Sequence, residues 1–221
     1  MSSARDPFSS PSYWLAVSIC RAILRLLNRL SVGRAAPLPG PSVIVVSNHA
    51  SHFDPPILTS TFPRPLRFLA KSSLFRGAFG SLLLSWGQVP IRRVSGGASA
   101  VLKAKRLLEA GWDIGLFIEG TRSPDGVFRA SACRTGAATI AHLAKAKVLP
   151  VAIHGSHHAF PTGARVPRPL RISVSMGKPL DTSAFFSERL TQDSARAFTA
   201  KIASAISSLL PPEQREGEAP D

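Results

Sequence analysis

The stretch VIVVSNHASHFDPP, residues 43–56, joins a continuous apolar run to a dense polar cluster. The run is short, β-branched and bounded by turn-forming residues, which predicts a buried strand. An Asn, two His and an Asp follow it at once, ahead of two prolines. Three interpretations fit such a cluster at the end of a strand: a catalytic base with its orienting carboxylate, a metal site, or a polar turn.

Further apolar runs along the chain alternate with segments of helical pattern. Strands are predicted at 66–70, 88–91, 112–118, 147–155 and 170–177, and helices at 73–87, 97–110, 131–146 and 192–210. Strands that alternate with helices indicate an α/β fold in which a mostly parallel sheet is covered by helices. In such folds, binding and catalytic sites collect where strands end and loops begin.

The segment YWLAVSICRAILRLLNRL, residues 13–30, predicts an amphipathic N-terminal helix. Three arginines spaced four apart form one stripe on such a helix. The stripe is Arg21, Arg25 and Arg29, and the other side carries Leu15, Ile19, Ile23, Leu26, Leu27 and Leu30, with Trp14 near the start. This pattern is typical of a helix that lies in the membrane interface. The alternative is an ordinary amphipathic helix packed on the domain.

Gly and Pro residues after this helix, and a polar, acidic C-terminus, divide the chain into three parts. Residues 1–36 form the predicted membrane-interface segment, residues 37–210 the main α/β domain, and residues 211–221 a tail expected to be disordered.

The net charge favours anionic partners. The 221 residues carry a formal charge of +14 and a pI of about 11.3, which suits phospholipid headgroups, phosphorylated substrates or nucleic acid. Only 7% of residues are aromatic, so stacking surfaces for single-stranded nucleic acid are few, and no nucleic-acid partner is expected. A solvated basic face is the alternative. The two cysteines form no disulfide framework, which fits a reducing, cytosolic environment.

The polar cluster that follows the first strand contains His49 and Asp54, separated by four residues. Because Pro55 disfavours helical geometry at Asp54, the segment is expected to turn once and kink. A carboxylate bound to one ring nitrogen fixes the tautomer and leaves the other nitrogen free as a base. A metal site would instead need His49, His52 and Asp54 with a distant ligand from the histidines at 154–158. A capped polar turn also remains open.

A second polar cluster, EGTRSPDG at residues 119–126, follows the run IGLFI. Arg122 is suited to bidentate recognition of phosphate, as are Arg92 and Arg93 upstream. The chain has no Walker A loop, no GxGxxG fingerprint and no GxSxG nucleophile elbow. A base and several anion-binding arginines, without an evident nucleophile, suit an enzyme whose nucleophile belongs to its substrate.

Four segments resemble, in order and rough spacing, the sequence blocks of the glycerolipid acyltransferase family. They are NHASHFD (48–54), GQVPIRR (87–93), FIEGTRS (117–123) and VLPVAI (148–153). The best-known members of that family are 1-acylglycerol-3-phosphate (lysophosphatidic acid) acyltransferases, and the blocks span roughly half of the chain.

The resemblance implies a function for each block. His49 would be the general base that deprotonates the acceptor hydroxyl, and Asp54 would orient it. The acceptor site would comprise Arg93, Glu119, Gly120, Thr121 and Arg122, with the arginines holding a phosphate. Pro150 and its neighbours would help to shape an acyl channel.

It also implies the reaction and its location. An acyl chain would pass from acyl-CoA or acyl carrier protein to a lyso-phospholipid, giving phosphatidic acid in phospholipid biosynthesis. No metal or organic cofactor is expected. The protein would be peripheral on the cytoplasmic face of the cell inner membrane.

Two alternatives remain: acylation of another lyso-lipid, such as a lyso-ornithine lipid, and a catalytically silent basic membrane-binding protein. Arg92 stands where an acidic residue is common in the family, and no role is assigned to Arg134.

Overall fold

A computed structural model describes residues 11–33, 37–38, 40, 42–91, 97–161 and 163–217. Its helices are α1 (Pro11–Asn28), α2 (Asp54–Thr61), α3 (Gly77–Ser85), α4 (Ala98–Glu109), α5 (Gly136–Ala144), α6 (Ser156–Ala159), α7 (Ser183–Ser187) and α8 (Gln192–Ser207). Its strands are β1 (Ser31–Val32), β2 (Val43–Ser47), β3 (Leu66–Lys71), β4 (Val89–Ile91), β5 (Asp113–Phe117), β6 (Lys147–His154) and β7 (Ser173–Met176).

The strands form one sheet of seven in the order β1-β7-β6-β2-β5-β3-β4. Every neighbouring pair is parallel except β6 and β7. The predicted α/β fold with a mostly parallel, helix-covered sheet is therefore confirmed. Strand β2 lies between β5 and β6, so the polar residues that follow it emerge at the centre of the sheet's carboxyl edge.

Strand β2 is buried on both faces, as its continuous apolar sequence predicts. Ile44 and Val46 pack into a cluster with α4, α5 and α8. Val43 and Val45 point the opposite way, into a cluster with α1 and α2. The alternation follows from the two-residue period of a strand. The strand ends at Ser47, so Asn48 is the first residue of the loop that leaves the sheet.

Helix α1 overlaps the helix predicted over 13–30 but ends at Asn28, so Arg29 of the predicted stripe lies beyond it, and the helix packs on the domain through a narrow stripe. Tyr13, Val17, Leu24 and Asn28 are buried, and the helix contacts α2. Five of the predicted apolar residues are exposed, namely Leu15, Ile19, Ile23, Leu26 and Leu27. Leu30 differs, because it packs partly buried against the core. No helix in the described part of the chain is long and apolar enough to cross a bilayer.

The structure differs from the predicted division of the chain at both ends. Strand β1 pairs with β7, so residues 31–32 belong to the sheet rather than to a separate N-terminal segment. At the C-terminus, the residues after 210 were expected to be disordered. Instead, the carbonyl of Gln214 accepts from Phe128 N at 2.8 Å, and the buried Gln214 side chain bonds to His154 at 2.7 Å. These contacts hold residues 211–217 against the domain.

Candidate active site

The first polar cluster forms a tight loop that brings His49 and Asp54 together. The His49 Nδ1 atom lies 2.7 Å from Asp54 Oδ2, with the two side chains 17% and 0% exposed. A carboxylate at this distance is an acceptor, so in the neutral ring Nδ1 carries the proton and Nε2 has its lone pair free. No residue in the described ranges hydrogen-bonds to Nε2. The ring therefore presents one unprotonated nitrogen, as a general base requires.

Asp54 also holds the loop's backbone. Its Oδ2 accepts from the amides of Ala50 and Ser51, each at 2.7 Å. The prediction of a kink at this residue is wrong, because Asp54 begins helix α2 and the prolines occupy the next two positions. Proline fits the first helical turn, where its missing N–H removes no hydrogen bond. The helix dipole further stabilises a carboxylate at this end.

Asn48 anchors the other end of the loop to the sheet. The side-chain Nδ2 of Asn48 donates to Ile153 O at 2.9 Å, and the side-chain Oδ1 accepts from Ile153 N at 2.8 Å. This paired contact holds the loop to the end of β6. The His49 ring stacks on Phe117 at the end of β5, with the ring centroids 4.0 Å apart. The loop is thus anchored to β6 through Asn48, and the imidazole packs against the end of β5.

The second polar cluster, after β5, binds the same loop. Glu119 Oε2 accepts from His49 N at 2.8 Å, and Ser123 N donates to His49 O at 2.7 Å. Glu119 is buried. The carboxylate was predicted to bind the acceptor, but its partner in the structure is the backbone N–H of His49. Glu119 is therefore placed to position His49, and direct contact with a substrate stays a prediction.

Burial also changes the acidity of Glu119. Desolvation raises the pKa of Glu119 to about 7, the amide of His49 opposes the rise, and the nearby charge of Asp54 adds to it. A carboxyl that shares a site with another carboxylate resists ionisation. Two acidic groups with different roles thus flank His49, one bound to its ring and one to its backbone.

Arg122, in the second polar cluster, lies close enough to His52 for its charge to act on that ring. Its Nη1 is buried and has no hydrogen-bond partner among the described residues. Desolvation lowers the pKa of His52, and the charge of Arg122 lowers it further. An unpartnered guanidinium N–H near His52 is a ready donor for an anionic ligand, because a buried donor left unpaired is costly.

The other predicted acceptor residues occupy different positions. Gly120 has φ +68°, and a Cβ there would lie 3.0 Å from the Arg134 side chain, so the turn requires glycine. Thr121 is exposed. Arg134, to which the sequence assigned no role, packs against this turn. Arg92 and Arg93 lie outside the described residues, so the acceptor role of Arg93 stays a prediction.

The described residues bring together no group of three or more His, Cys, Asp or Glu side chains that could hold a metal ion. His154 bonds to Gln214, and His157 lies under Gly126. Burial raises the pKa of the Cys133 thiol to about 12, so it stays protonated. Pro150 is buried inside β6 beside Val46, and its part in an acyl channel stays a prediction.

Sequence reasoning missed two residues that shape the site. Asn48 was quoted within its motif without a role, and Ser123 was passed over. A signal existed for Asn48: an amide directly after a buried strand can continue the pairing of the sheet edge. No local signal marks Ser123, because its backbone contact with His49 depends on how β2 and β5 align.

Comparisons with known proteins agree with this geometry. The model of a family described as Acyltransferase matches residues 29–154, more than half of the chain. A 1-acyl-sn-glycerol-3-phosphate acyltransferase of Bacillus subtilis is 27% identical over 176 residues, covering 78% of this chain and 84% of the relative. A protein of the same name from Borreliella burgdorferi is 33% identical, covering 54% of this chain and 48% of the relative. The match thus spans about half the length of the Borreliella protein.

The fold has a solved counterpart. The crystal structure of the 1-acyl-sn-glycerophosphate (LPA) acyltransferase PlsC from Thermotoga maritima aligns with a TM-score of 0.73 at 24% identity, over 94% of this chain and 84% of that one. The family match contains both polar clusters and the strands that carry them. This protein therefore belongs to the acyltransferase family.

Proposed function

We propose that the protein transfers an acyl chain from a thioester to the hydroxyl of 1-acylglycerol-3-phosphate, forming phosphatidic acid. The observation that carries the proposal is the His49–Asp54 contact of 2.7 Å at the carboxyl edge of the sheet. The names of the Bacillus and Borreliella relatives support this choice of acceptor.

The chemistry follows from the loop's geometry. His49 Nε2 takes the proton of the acceptor hydroxyl as the oxygen attacks the thioester carbonyl carbon. Asp54 stabilises the imidazolium that forms. The tetrahedral intermediate then collapses, the C–S bond breaks, and the imidazolium returns the proton to the departing thiolate. General-base assistance of this kind contributes about 10²–10⁴-fold.

Arg122 is the described residue best placed to hold the acceptor's phosphate. Its buried, unpartnered Nη1 and its charge near His52 set an anion site beside the base. A phosphate there would accept charge-assisted hydrogen bonds, with the acceptor hydroxyl close to His49. Arg93 is proposed to join this site.

The membrane surface is proposed to contact α1. Its exposed face carries Leu15, Ile19, Ile23, Leu26 and Leu27, and the chain has a net charge of +14. An apolar helical face on a basic protein suits an anionic bilayer surface. Both acceptor and product are lipids, so docking would bring the site to them. We place the protein on the cytoplasmic face of the inner membrane.

A donor-by-acceptor matrix tests the function. Purified protein is offered acyl-CoA and acyl carrier protein thioesters with 1-acylglycerol-3-phosphate, lyso-phosphatidylcholine, monoacylglycerol or a lyso-ornithine lipid. Phosphatidic acid should be the main product, and His49→Ala should lower kcat/KM about 10²–10⁴-fold with thermal unfolding unchanged. EDTA should have no effect, since no cofactor is proposed. Full activity in His49→Ala would overturn the assignment of His49 as the base. A preference for the lyso-ornithine lipid would overturn the choice of 1-acylglycerol-3-phosphate as the acceptor.

A further inference from the structure

Helix α3 has a composition that does not suit an exposed helix. Its sequence, GAFGSLLLS, contains no charged residue, and only Gly80 is buried. Phe79 is 58% exposed and Leu84 52% exposed, and Leu82 is exposed as well. A helix that is apolar all round is normally buried in a core or in a membrane. Some surface outside the described chain is therefore needed to cover α3.

The side-chain hydroxyls of α3 are satisfied within the helix. Ser81 Oγ donates to Gly77 O, and Ser85 Oγ donates to Leu82 O at 2.7 Å. These are the only polar side chains of the helix. Hydroxyls bonded to their own helix's carbonyls need no water, which matters where water is scarce. The side chains of α3 thus suit a hydrocarbon surface better than an aqueous one.

Helix α3 also adjoins α1. Trp86, directly after α3, packs with Trp112 against Tyr13 and Val17 on the inner face of α1. The end of α3 is therefore fixed to the start of the helix that carries the other exposed apolar face. Exposed Lys71 and Arg76 lie just before α3.

We propose that α3 is a second lipid-contacting element, which enters the bilayer interface beside α1. The proposal rests on the proposed function at a membrane. At nine residues, the helix is about 14 Å long, less than half the thickness of the hydrocarbon core, so it would lie in the interface rather than span it. Lys71 and Arg76 would meet anionic headgroups.

A bilayer fits this surface better than a second copy of the chain does. Two copies meeting through α3 would bring their cationic residues together, and each chain already carries a net charge of +14. An anionic bilayer would instead attract the same cationic residues. The acceptor proposed above is also a membrane lipid, so a second contact would fix the orientation of the catalytic edge towards it.

The test is flotation with vesicles of 70% phosphatidylcholine and 30% phosphatidylglycerol. The double variant Phe79→Ser/Leu84→Ser should bind about tenfold more weakly, which corresponds to about 1.4 kcal/mol. Its matched control is Leu102→Ser/Leu143→Ser. Those leucines are 53% and 40% exposed on α4 and α5, across the sheet from α1, and this control should bind as the wild type does. Phe79→Trp should retain binding, since Trp favours the interface. Thermal unfolding of the double variant at the wild-type temperature excludes misfolding as the cause of its lost binding.

A third arm separates this proposal from the function on which it rests. Leu15→Ser/Ile19→Ser removes apolar side chains from α1 alone. If that variant loses vesicle binding while the α3 variant keeps it, the α3 proposal is overturned and the role of α1 stands. If neither variant loses binding, both membrane contacts are overturned. Sedimentation velocity tests for a second copy of the chain on this surface. If the wild type is a dimer, the α3 variant is a monomer and vesicle binding is unchanged, the surface belongs to the dimer and the proposal is overturned.

Discussion

Helix α2 lies between two contrasting regions: a loop of buried, hydrogen-bonded polar groups and a helix with an exposed apolar face. At its start, the loop of residues 48–54 buries polar groups that bond to one another and to the ends of β5 and β6. Along its length, α2 packs against α1, whose outer face is apolar and exposed. The loop's partners are inside the chain, while the apolar outer face of α1 is left exposed. Changes in the loop should therefore affect stability and catalysis, and changes on the outer face of α1 should affect binding alone.

The largest effect is expected at Asp54. Asp54→Ala removes the acceptor of the His49 ring and of the amides of Ala50 and Ser51. Leaving these groups unpaired should lower the free energy of unfolding by about 3 kcal/mol, and kcat/KM should fall about 10³-fold with the loss of the oriented base. Urea unfolding and acyl-transfer kinetics measure the two effects.

His49→Ala is the matched control for Asp54→Ala. It should lose comparable activity but little stability, since the imidazole is part-exposed and its carboxylate partner keeps two backbone donors. Equal destabilisation by the two variants would contradict the idea that Asp54 holds the loop as well as the ring.

Glu119 gives the loop a pH-dependent stability. The pKa of Glu119 is raised by burial from 4.5 to about 7, so the folded protein retains a proton that the unfolded chain releases between these values. Stability should therefore fall as pH rises through this window, by at most about 3 kcal/mol.

Glu119→Gln keeps an acceptor for His49 N and removes the ionisation. The wild type should lose stability relative to this variant between pH 4.5 and pH 8, as measured by urea unfolding. Glu109→Gln, on the exposed end of α4, is the matched control and should leave the pH profile unchanged. Parallel profiles for wild type and Glu119→Gln would show that the pKa of Glu119 is the same in the folded and the unfolded protein.

Arg122 offers a smaller effect that separates binding from chemistry. Arg122→Ala removes a donor whose worth to a phosphate is about 1.5–3 kcal/mol, so kcat/KM for 1-acylglycerol-3-phosphate should fall about tenfold to a hundredfold. Turnover of monoacylglycerol, which has no phosphate, should change little. Arg196→Ala, an exposed arginine on α8, controls for lost charge. An equal loss with both acceptors would remove Arg122 from the phosphate site.

The sequence predicted elements whose signal is local. The β-branched run before Asn48 formed β2, and the alternation of apolar and basic residues predicted α4. The pairing of His49 with Asp54 was expected from the motif, although the kink expected from Pro55 was wrong. These features depend on neighbours a few residues apart, which a single sequence displays directly.

The features that the sequence did not predict depend on contacts between distant residues. Glu119 was assigned to the acceptor site from the resemblance to the family, but the alignment of β2 with β5 brings its carboxylate to His49 N. The tail was predicted to be disordered from its composition, yet the side chain of Gln214 hydrogen-bonds to His154, which lies 60 residues earlier in the chain. Strand β1 has two residues, too few for a periodic pattern.

The smallest effect on stability is expected on the outer face of α1. Leu26 is 80% exposed, so Leu26→Ser should change the free energy of unfolding by no more than about 0.5 kcal/mol while weakening vesicle binding. Val17→Ser, on the buried stripe of the same helix, should do the reverse: it should cost stability and leave the lipid-facing residues in place. Thermal unfolding and flotation of the two variants compare the two faces directly. Should Leu26→Ser destabilise the fold as much as Val17→Ser does, α1 would be an ordinary packed helix and its exposed leucines would not be a membrane contact.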